Sequence, residues 1–467
     1  MNIKLFEKLY FIGVGGIGMS ALARYFNSKG LEVCGYDKTP SELTNQLQEE
    51  GIDIHFDANH IPEHIKTTNH HSLLVVYTPA VSLDSYQLQY FKPKKWNVLK
   101  RAELLGLITQ DAYTIAVSGT HGKTTTSCIL AHILKSCNID CTAFLGGIST
   151  NLNSNLLLSK KGNIVVVEAD EYDKSFLKLN PDIIVVTSVD ADHLDVYQDA
   201  NDVKNTFKAF VNNLKSEGML LVNKTIDINF KTDNDTLQLS YSSSVKADNY
   251  ATNLRLENAN QVFDAQFVDI LPGQVYEHQL KDVVLKLPGK HNVENALAAT
   301  VVASYLGANS ADIKSAIASF RGVKRRYEFH ANGKYVYIDD YAHHPEEVKA
   351  TLEATKQLFP NKKITAVFQP HLYSRTRDFA DEFGESLSLA DEVLLLDIYP
   401  ARELPIEGVS SEMLLEKISK SEKHLIPKEL LLEELTHPKR EVLLTMGAGD
   451  IDIFIEPLTQ SYQDEVD

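Results

Sequence analysis

No stretch of this chain reaches the roughly 18 consecutive apolar residues that a membrane-spanning helix needs, so insertion into a bilayer is not expected. Cysteine is scarce. Cys34, Cys128, Cys137 and Cys141 are too few for a disulfide framework and contain no CxxC pair at zinc spacing, so reduced structural thiols are expected. Positive charge is short as well: 46 Lys and Arg against 63 Asp and Glu leave a formal charge of −17. Such a surface repels polyanions, which argues against nucleic-acid binding. Any anionic ligand must then be met by local Lys, Arg and helix N-termini. Internal repeats and low-complexity tracts are also missing. At 43% hydrophobic and 23% charged residues the chain is composed like a folded protein, and 467 residues exceed a single core.

The N-terminus imitates an export signal, with Lys4 and Lys8 before an apolar segment that ends in Ala21-Leu22-Ala23. Gly13, Gly15, Gly16 and Gly18 interrupt that segment, and a buried strand running into a glycine turn explains the same residues better. A cytoplasmic protein is expected. Apolar runs near Leu9–Val14, Leu31–Tyr36 and Ser72–Tyr77 alternate with helical patterns, as in a parallel α/β domain. A second α/β unit is read from Thr109, with a peripheral sheet around Ser240–Asn260. A third is read from Gly322, and the tail after Glu456 reads as a solvated end.

Gly13-Val14-Gly15-Gly16-Ile17-Gly18 fits GxGxxG between a strand and a helix, and Asp37 ends the following strand. Glycines there let backbone N–H groups approach a diphosphate at a helix N-terminus, and Asp37 can accept from a ribose hydroxyl. NAD and a UDP-sugar both carry such a group. Ser118-Gly119-Thr120-His121-Gly122-Lys123-Thr124-Thr125-Thr126 also joins a strand to a helix. It is a shortened phosphate loop, in which amides cradle ATP phosphates, Lys123 neutralises the β/γ oxygens and Thr124 reaches Mg2+. A dehydrogenase has no use for it. Two acidic clusters, Glu168-Ala169-Asp170-Glu171 and Asp190-Ala191-Asp192-His193, are read at the ends of consecutive strands, where hard oxygen donors and one imidazole suit Mg2+. Asp339-Asp340, His343-His344, His371 and Arg375 are read after strands of the third unit. With Arg325-Arg326 at its border, they suggest a closing lid.

Together these motifs resemble the Mur ligase family, the ATP-dependent amide-forming enzymes of peptidoglycan synthesis. The likeness runs through GVGGIGMS at 13–20, GTHGKTTT at 119–126, EADEYDKSFL at 168–177, DHLD at 192–195 and GKHNVENALAA at 289–299. It continues in GVKRRYE at 322–328, DDYAHHP at 339–345, FQPHLYSRTRD at 368–378 and MGAGDI at 446–451, and covers essentially the whole chain. The first turn, DDYAHHP and FQPHxYxRT look like the branch that adds L-alanine to UDP-N-acetylmuramate. A sister branch attaching a murein tripeptide to the same sugar carries Phe at the position of Tyr341 and is the rival reading. An NAD-dependent oxidoreductase is the rival from another class.

The resemblance implies three tandem α/β domains: a Rossmann-like UDP-sugar domain at 1–108, a P-loop-type ATP domain at 109–321 and a Rossmann-like C-terminal domain at 322–467. It implies UDP-sugar contacts from Gly13, Gly15, Gly16, Ile17, Gly18, Met19, Ser20 and Asp37. ATP contacts would come from Gly119, Thr120, His121, Gly122, Lys123, Thr124, Thr125, Asn292, Asn295, Arg326 and Asp340. Thr124, Glu168 and His193 would hold Mg2+, with Mn2+ as an alternative. Tyr341, His343, His371 and Arg375 would surround the alanine, and Leu372 stands where some members carry Arg. The catalytic set implied is Lys123, His193, Arg326, His343 and Arg375, in a monomer or homodimer. Lys208 is not assigned the carbamylated-lysine role seen in other branches.

Overall fold

The structure is a computed structural model that describes residues 3–93, 96–190, 196–271, 274–401, 403–419 and 422–463. Three sheets organise the chain. The first holds β1 (Lys8–Ile12), β2 (Glu32–Tyr36), β3 (Asp53–His55), β4 (Leu73–Tyr77) and β5 (Asn97–Lys100), in the order β3-β2-β1-β4-β5, with all neighbours parallel. β1 and β4 are buried almost throughout because parallel strands carry cover on both faces. Strand order reverses between them, which is where ligand crevices open in such sheets. β1 runs into Gly13 and β4 into Thr78 at that point. The helix Ile17–Ser28 starts from the turn and buries Met19, Leu22 and Phe26, spaced for one face.

The second sheet holds β6 (Tyr113–Ser118), β7 (Cys141–Ser149), β8 (Ser154–Leu157), β9 (Ile164–Ala169), β10 (Ile183–Val186), β11 (Met219–Asn223), β12 (Leu237–Ser242), β13 (Asn249–Glu257), β14 (Asn260–Leu271) and β15 (Gln274–Leu285). Its order is β15-β14-β13-β12-β11-β10-β6-β9-β7-β8. β6 lies between β9 and β10 and is parallel to both, so the segments after these three strands emerge side by side at one edge. The region read as a peripheral sheet forms the outer strands of this one. β11 is buried along its length and needs a partner on its open side, which β12 supplies in register from Met219↔Leu237 to Asn223↔Tyr241.

The third sheet holds β16 (Glu328–Asn332), β17 (Val336–Asp340), β18 (Ile364–Phe368), β19 (Glu392–Leu395), β20 (Glu422–Leu425) and β21 (Val442–Met446), ordered β16-β17-β21-β18-β19-β20. Only β16 is antiparallel to its neighbour. The expected solvated tail is a helix, Ile455–Gln463. Leu458 and Tyr462 lie four residues apart on one face and are buried, and Tyr462 Oη donates to Leu435 O (3.0 Å) and accepts from Arg440 N (3.0 Å). Among the described residues no helix is long and apolar enough to cross a membrane. All four cysteines are free thiols.

Compactness divides the chain into two units. The first is residues 1–252, 264–283 and 294–320; the second is 253–263, 284–293 and 321–467. Within the first, one apolar cluster runs from Leu9 and Phe11 of β1 through Leu22 and Phe26 to Phe144, Leu156 and Val167 of the second sheet. A polar strap joins the same parts. Asn155 on β8, fully buried, donates to Ile17 O (2.6 Å) and Ser20 Oγ (2.8 Å) and accepts from Arg24 Nη1 (2.6 Å). Arg24 also grips Glu50 through Nε (2.8 Å) and Nη2 (2.7 Å). The glycine turn is therefore held to the second sheet by hydrogen bonds out of water, where an unmade bond to a charged group is costly. Asn155→Ala is expected to lower the unfolding free energy by about 2 kcal/mol in urea titration.

Candidate active site

The phosphate loop is built by glycine and by the strand beside it. Gly119 has φ 137° and Gly122 φ 82°, both in the left-handed half of the map. A Cβ on Gly119 would also meet Thr187 Oγ1 at 2.0 Å, so only glycine lets the loop lie this close to the end of β10. Thr187 Oγ1 donates to Ser118 O (3.0 Å), and His121 N donates to Ser188 Oγ (2.7 Å). Thr120 Oγ1 donates to Asp190 Oδ2 (3.1 Å). Asp190, expected in a metal cluster, braces the loop. The helix Lys123–Ser136 then places Thr124, Thr125 and Thr126 in its first turn, and Thr126 Oγ1 donates to Asn295 Oδ1 (3.1 Å). Asn292, one turn earlier on the helix Lys290–Tyr305, donates to Pro288 O (2.7 Å).

Lys123 Nζ donates to both oxygens of Glu171 (2.7 and 2.9 Å) and to Gly119 O (2.6 Å). Its side chain is 12% exposed and that of Glu171 1%. Burial opposes the ammonium's charge, but Glu171, Asp170 and Glu168 outweigh it and hold the Lys123 pKa above its usual value. The acidic segment holds further cations: Asp170 pairs with Arg101 (3.5 Å) and Asp173 with Lys100 (3.0 Å). Lys174 in turn reaches Asp202 (3.1 Å). Asp173 and Lys174 both adopt left-handed backbone (φ 53° and 54°), a strained pair of the kind that clusters at functional sites.

Glu168 lies in β9 itself, one residue before its end, with its carboxylate over Gly146: a Cβ there would meet Oε2 at 2.0 Å. Among the described residues no cluster of three or more His, Cys, Asp or Glu is arranged for a metal. His193, the expected imidazole ligand, lies outside the described residues. Hard Mg2+ is commonly held by one or two carboxylates together with substrate phosphates, and Glu168 is the carboxylate of the expected set that the structure describes.

At the glycine turn, Asp37 Oδ2 accepts from Gly15 N (2.7 Å), so the carboxylate expected on a ribose also fastens the turn. Gly15 is close-packed there, since a Cβ would come within 2.9 Å of Asp37 Oδ2 and 2.8 Å of Thr44 Cγ2. A cavity of about 260 Å³ follows. Gly16, Ile17, Gly18 and Met19 line one side, and Glu168 and Asp170 line another. Those two carboxylates also act on Lys123, although no residue of the phosphate loop is on that lining.

In the second unit, β17 ends in Asp339 and Asp340. The Arg325-Arg326 pair is partly buried and engaged by carboxylates. Arg325 Nε donates to Asp339 Oδ2 (2.9 Å) and its Nη2 to Gly447 O (2.8 Å), while Arg326 lies 3.6 Å from Glu347. Both guanidiniums lie 5.3 Å from the Tyr341 ring centroid. Asp340 is buried and accepts from Tyr327 N (2.8 Å) and Ala342 N (2.7 Å). Burial raises its pKa to about 7 against the opposing pull of Arg326, with Glu347 adding to the rise. His343 Nδ1 lies 2.9 Å from Tyr341 O and 3.2 Å from Glu347. His371 stacks on Tyr399 and sits beside His343 and Arg375; burial first, then these two, lowers its pKa to about 3, so it is neutral near pH 7. Leu372 takes a left-handed φ of 71° just before Tyr373. Tyr341, His343, His371 and Arg375 thus fall in one neighbourhood. Arg101 and Glu347 complete the sites as partners that sequence spacing did not single out, while Glu171 and Asp339, read there as members of acidic clusters, turn out to be the partners of Lys123 and Arg325.

Family models match along the chain: the Mur ligase family catalytic domain at residues 8–113, the Mur ligase middle domain at 117–303 and the Mur ligase glutamate ligase domain at 325–449. The chain belongs to the Mur ligase family. It is 46% identical to a UDP-N-acetylmuramate–L-alanine ligase of Flavobacterium johnsoniae over 100% of both chains. It is 49% identical to the enzyme of that name from Flavobacterium psychrophilum over 97% of each. The crystal structure of UDP-N-acetylmuramate-alanine ligase from Thermotoga maritima superposes with a TM-score of 0.78 at 28% identity, covering 98% of this chain and 99% of that one.

Two outcomes test this geometry. Lys123→Ala should weaken ATP binding about 100-fold. It should also cost about 3 kcal/mol of stability, because Glu171 is left buried without its ammonium. Adding Glu171→Gln should recover most of the stability and none of the ATP affinity, as read by calorimetry and urea titration. Asp340 holds its proton in the folded state up to about pH 7, whereas an unfolded aspartate releases it near pH 4. Folding therefore binds a proton in that window, and this contribution to stability falls as pH rises through it. The unfolding midpoint of Asp340→Asn, relative to the parent, should rise between about pH 5 and about pH 8.

Proposed function

We propose that the chain uses ATP to join L-alanine to the lactyl carboxylate of UDP-N-acetylmuramate, the first amino-acid addition in peptidoglycan precursor synthesis, and that it acts in the cytoplasm. The observation that carries this reading is the cavity with a diphosphate-type glycine turn on one wall and, on another, the carboxylates that act on the phosphate-loop lysine. The relatives' names support the choice of sugar and amino acid. So does Tyr341, where the tripeptide-ligating branch carries Phe.

The lactyl carboxylate attacks the γ-phosphorus of ATP, the bond to the bridging oxygen breaks, and ADP leaves an acyl phosphate. The neutral amine of alanine adds to the acyl carbon, and the tetrahedral intermediate expels phosphate while the nitrogen loses its proton. The protein's contribution is to position these groups and to neutralise charge. Residues 1–108 bind the uridine diphosphate through the turn Gly13–Ser20 and Asp37. Residues 109–321 bind ATP through the loop Gly119–Thr125, with Asn292 and Asn295 on the adenine. Lys123 leaves Glu171 for the β/γ oxygens, and Arg326 neutralises the γ-phosphate. Thr124, Glu168 and His193 would hold Mg2+, which supplies further neutralisation of phosphate charge. From residues 322–467, Asp340 contacts the nucleoside, Arg375 takes the alanine carboxylate, and Tyr341, His343 and His371 enclose the amine. His371, neutral near pH 7, adds no competing positive charge beside Arg375.

Phosphate release with ATP, Mg2+ and UDP-N-acetylmuramate, adding L-alanine, glycine, L-serine or the murein tripeptide in turn, checks the reading. L-Alanine should stimulate release at least about tenfold over the smaller and larger competitors, the discrimination one methyl group supports. Stimulation by the tripeptide instead would reassign the activity to the sister branch.

A further inference from the structure

The cavity beside the glycine turn contains a cation that none of the family motifs marks. Arg101 begins the helix Arg101–Thr109 and lines the same space as Gly16, Ile17, Gly18 and Thr78. Its guanidinium lies directly against the turn. A Cβ on Gly18 would stand 2.6 Å from Arg101 Nη1, 3.1 Å from Cδ and 3.2 Å from Cζ. Gly18 is outside the left-handed region, so what a side chain there would meet is this guanidinium rather than backbone strain.

The contact that holds the guanidinium is a loose one. Arg101 Nη2 is 3.5 Å from Asp170 Oδ2, well beyond the 2.7–2.9 Å of a strong charge-assisted bond, and the side chain is 18% exposed. The other ionisable side chains on the cavity lining are the carboxylates Glu168 and Asp170. In a chain of formal charge −17, a ligand with a diphosphate entering between two carboxylates needs a compensating cation. Among the described residues Arg101 is the one on that lining. A planar fork of donors suits two phosphate oxygens better than one distant carboxylate.

We propose that Arg101 is a binding residue for the diphosphate of the nucleotide sugar. Its guanidinium exchanges the long contact with Asp170 for a bidentate hold on oxygens lodged at the Ile17–Gly18 end of the helix. This rests on the UDP-sugar reading of the cavity. The exchange takes the guanidinium away from Asp170, next to Glu171, so sugar binding alters the charge around the phosphate loop.

Calorimetric titration of the full chain, with a non-hydrolysable ATP analogue and Mg2+ present, tests it using UDP-N-acetylmuramate and UDP as separate probes. Arg101→Ala should raise Kd for both probes about 30-fold, and Arg101→Lys, which keeps charge without the fork, about fivefold. Affinity for the ATP analogue should change less than about threefold. An Arg101→Ala protein that binds both probes within about twofold of the parent overturns the proposal, as does an equal loss of ATP-analogue affinity, which marks a prop of the fold. A loss for UDP-N-acetylmuramate without one for UDP puts the guanidinium on the lactyl carboxylate and overturns the diphosphate assignment. Should Arg101→Ala not fold, Arg101→Lys decides alone: a Kd rise of about threefold or more for both probes supports the proposal and unchanged binding overturns it. A parent protein that binds neither uridine nucleotide refutes the sugar reading itself, an outcome distinct from any behaviour of Arg101.

Discussion

An ammonium withdrawn from water is tolerated only where negative charge meets it, and in this protein the segment Glu168–Asp173 supplies that charge. Lys123 lies on Glu171 with Asp170 and Glu168 nearby, and the same short segment pairs with Arg101 and Lys100. Three cations from two parts of the first unit are thus held by one strand end. The arrangement keeps the phosphate-loop lysine charged and positioned before any nucleotide arrives. It also means that a triphosphate must compete with Glu171 for the same ammonium. Removing one partner from such a pair costs far more than the pair contributes as a whole, so the segment ties stability and ligand binding to the same atoms. The left-handed backbone at Asp173 and Lys174 is held by their ion pairs on either side.

Sheet topology brings these charges together. β6 has β9 and β10 as parallel neighbours, so the loop after β6 is flanked by Glu168–Glu171 on one side and Thr187–Asp190 on the other. In the first sheet, the reversal between β1 and β4 opens the crevice at Gly13 and Thr78. The Asn155 strap and the shared apolar cluster fix these two crevice regions within one unit. An acidic protein thereby presents local cations and helix N-termini to anionic ligands.

The second unit uses charge differently. Arg325 is held by Asp339 and the Gly447 carbonyl, whereas Arg326 lies 3.6 Å from Glu347, and both stand over the Tyr341 ring. Asp340 is buried enough to retain a proton at near-neutral pH, and His371 is buried enough to stay without one. Opposite protonation states of an acid and a base follow from the same cause: desolvation favours the neutral form of each.

Local patterns in the chain were sufficient for the parallel α/β class, the glycine turn, the phosphate loop and the acidic strand ends. Glycine needs, strand periodicity and helix starts are written in adjacent residues. The C-terminal helix was hidden because its two anchoring residues, Leu458 and Tyr462, are surrounded by polar neighbours that dominate composition. The long second sheet was hidden because β12 shows only its own alternation and not the open edge of β11 that it covers. Which carboxylate would take Lys123, and that Arg101 and Asn155 would serve the glycine turn, was decided only by the tertiary structure. These contacts join Lys123 to Glu171, Arg101 to Gly18 and Asn155 to Ile17, all far apart in the chain and brought together by sheet order and core packing. Sequence spacing reports which chemical groups a chain carries; the competition among buried charges for the nearest partner is settled only once the strands are stacked.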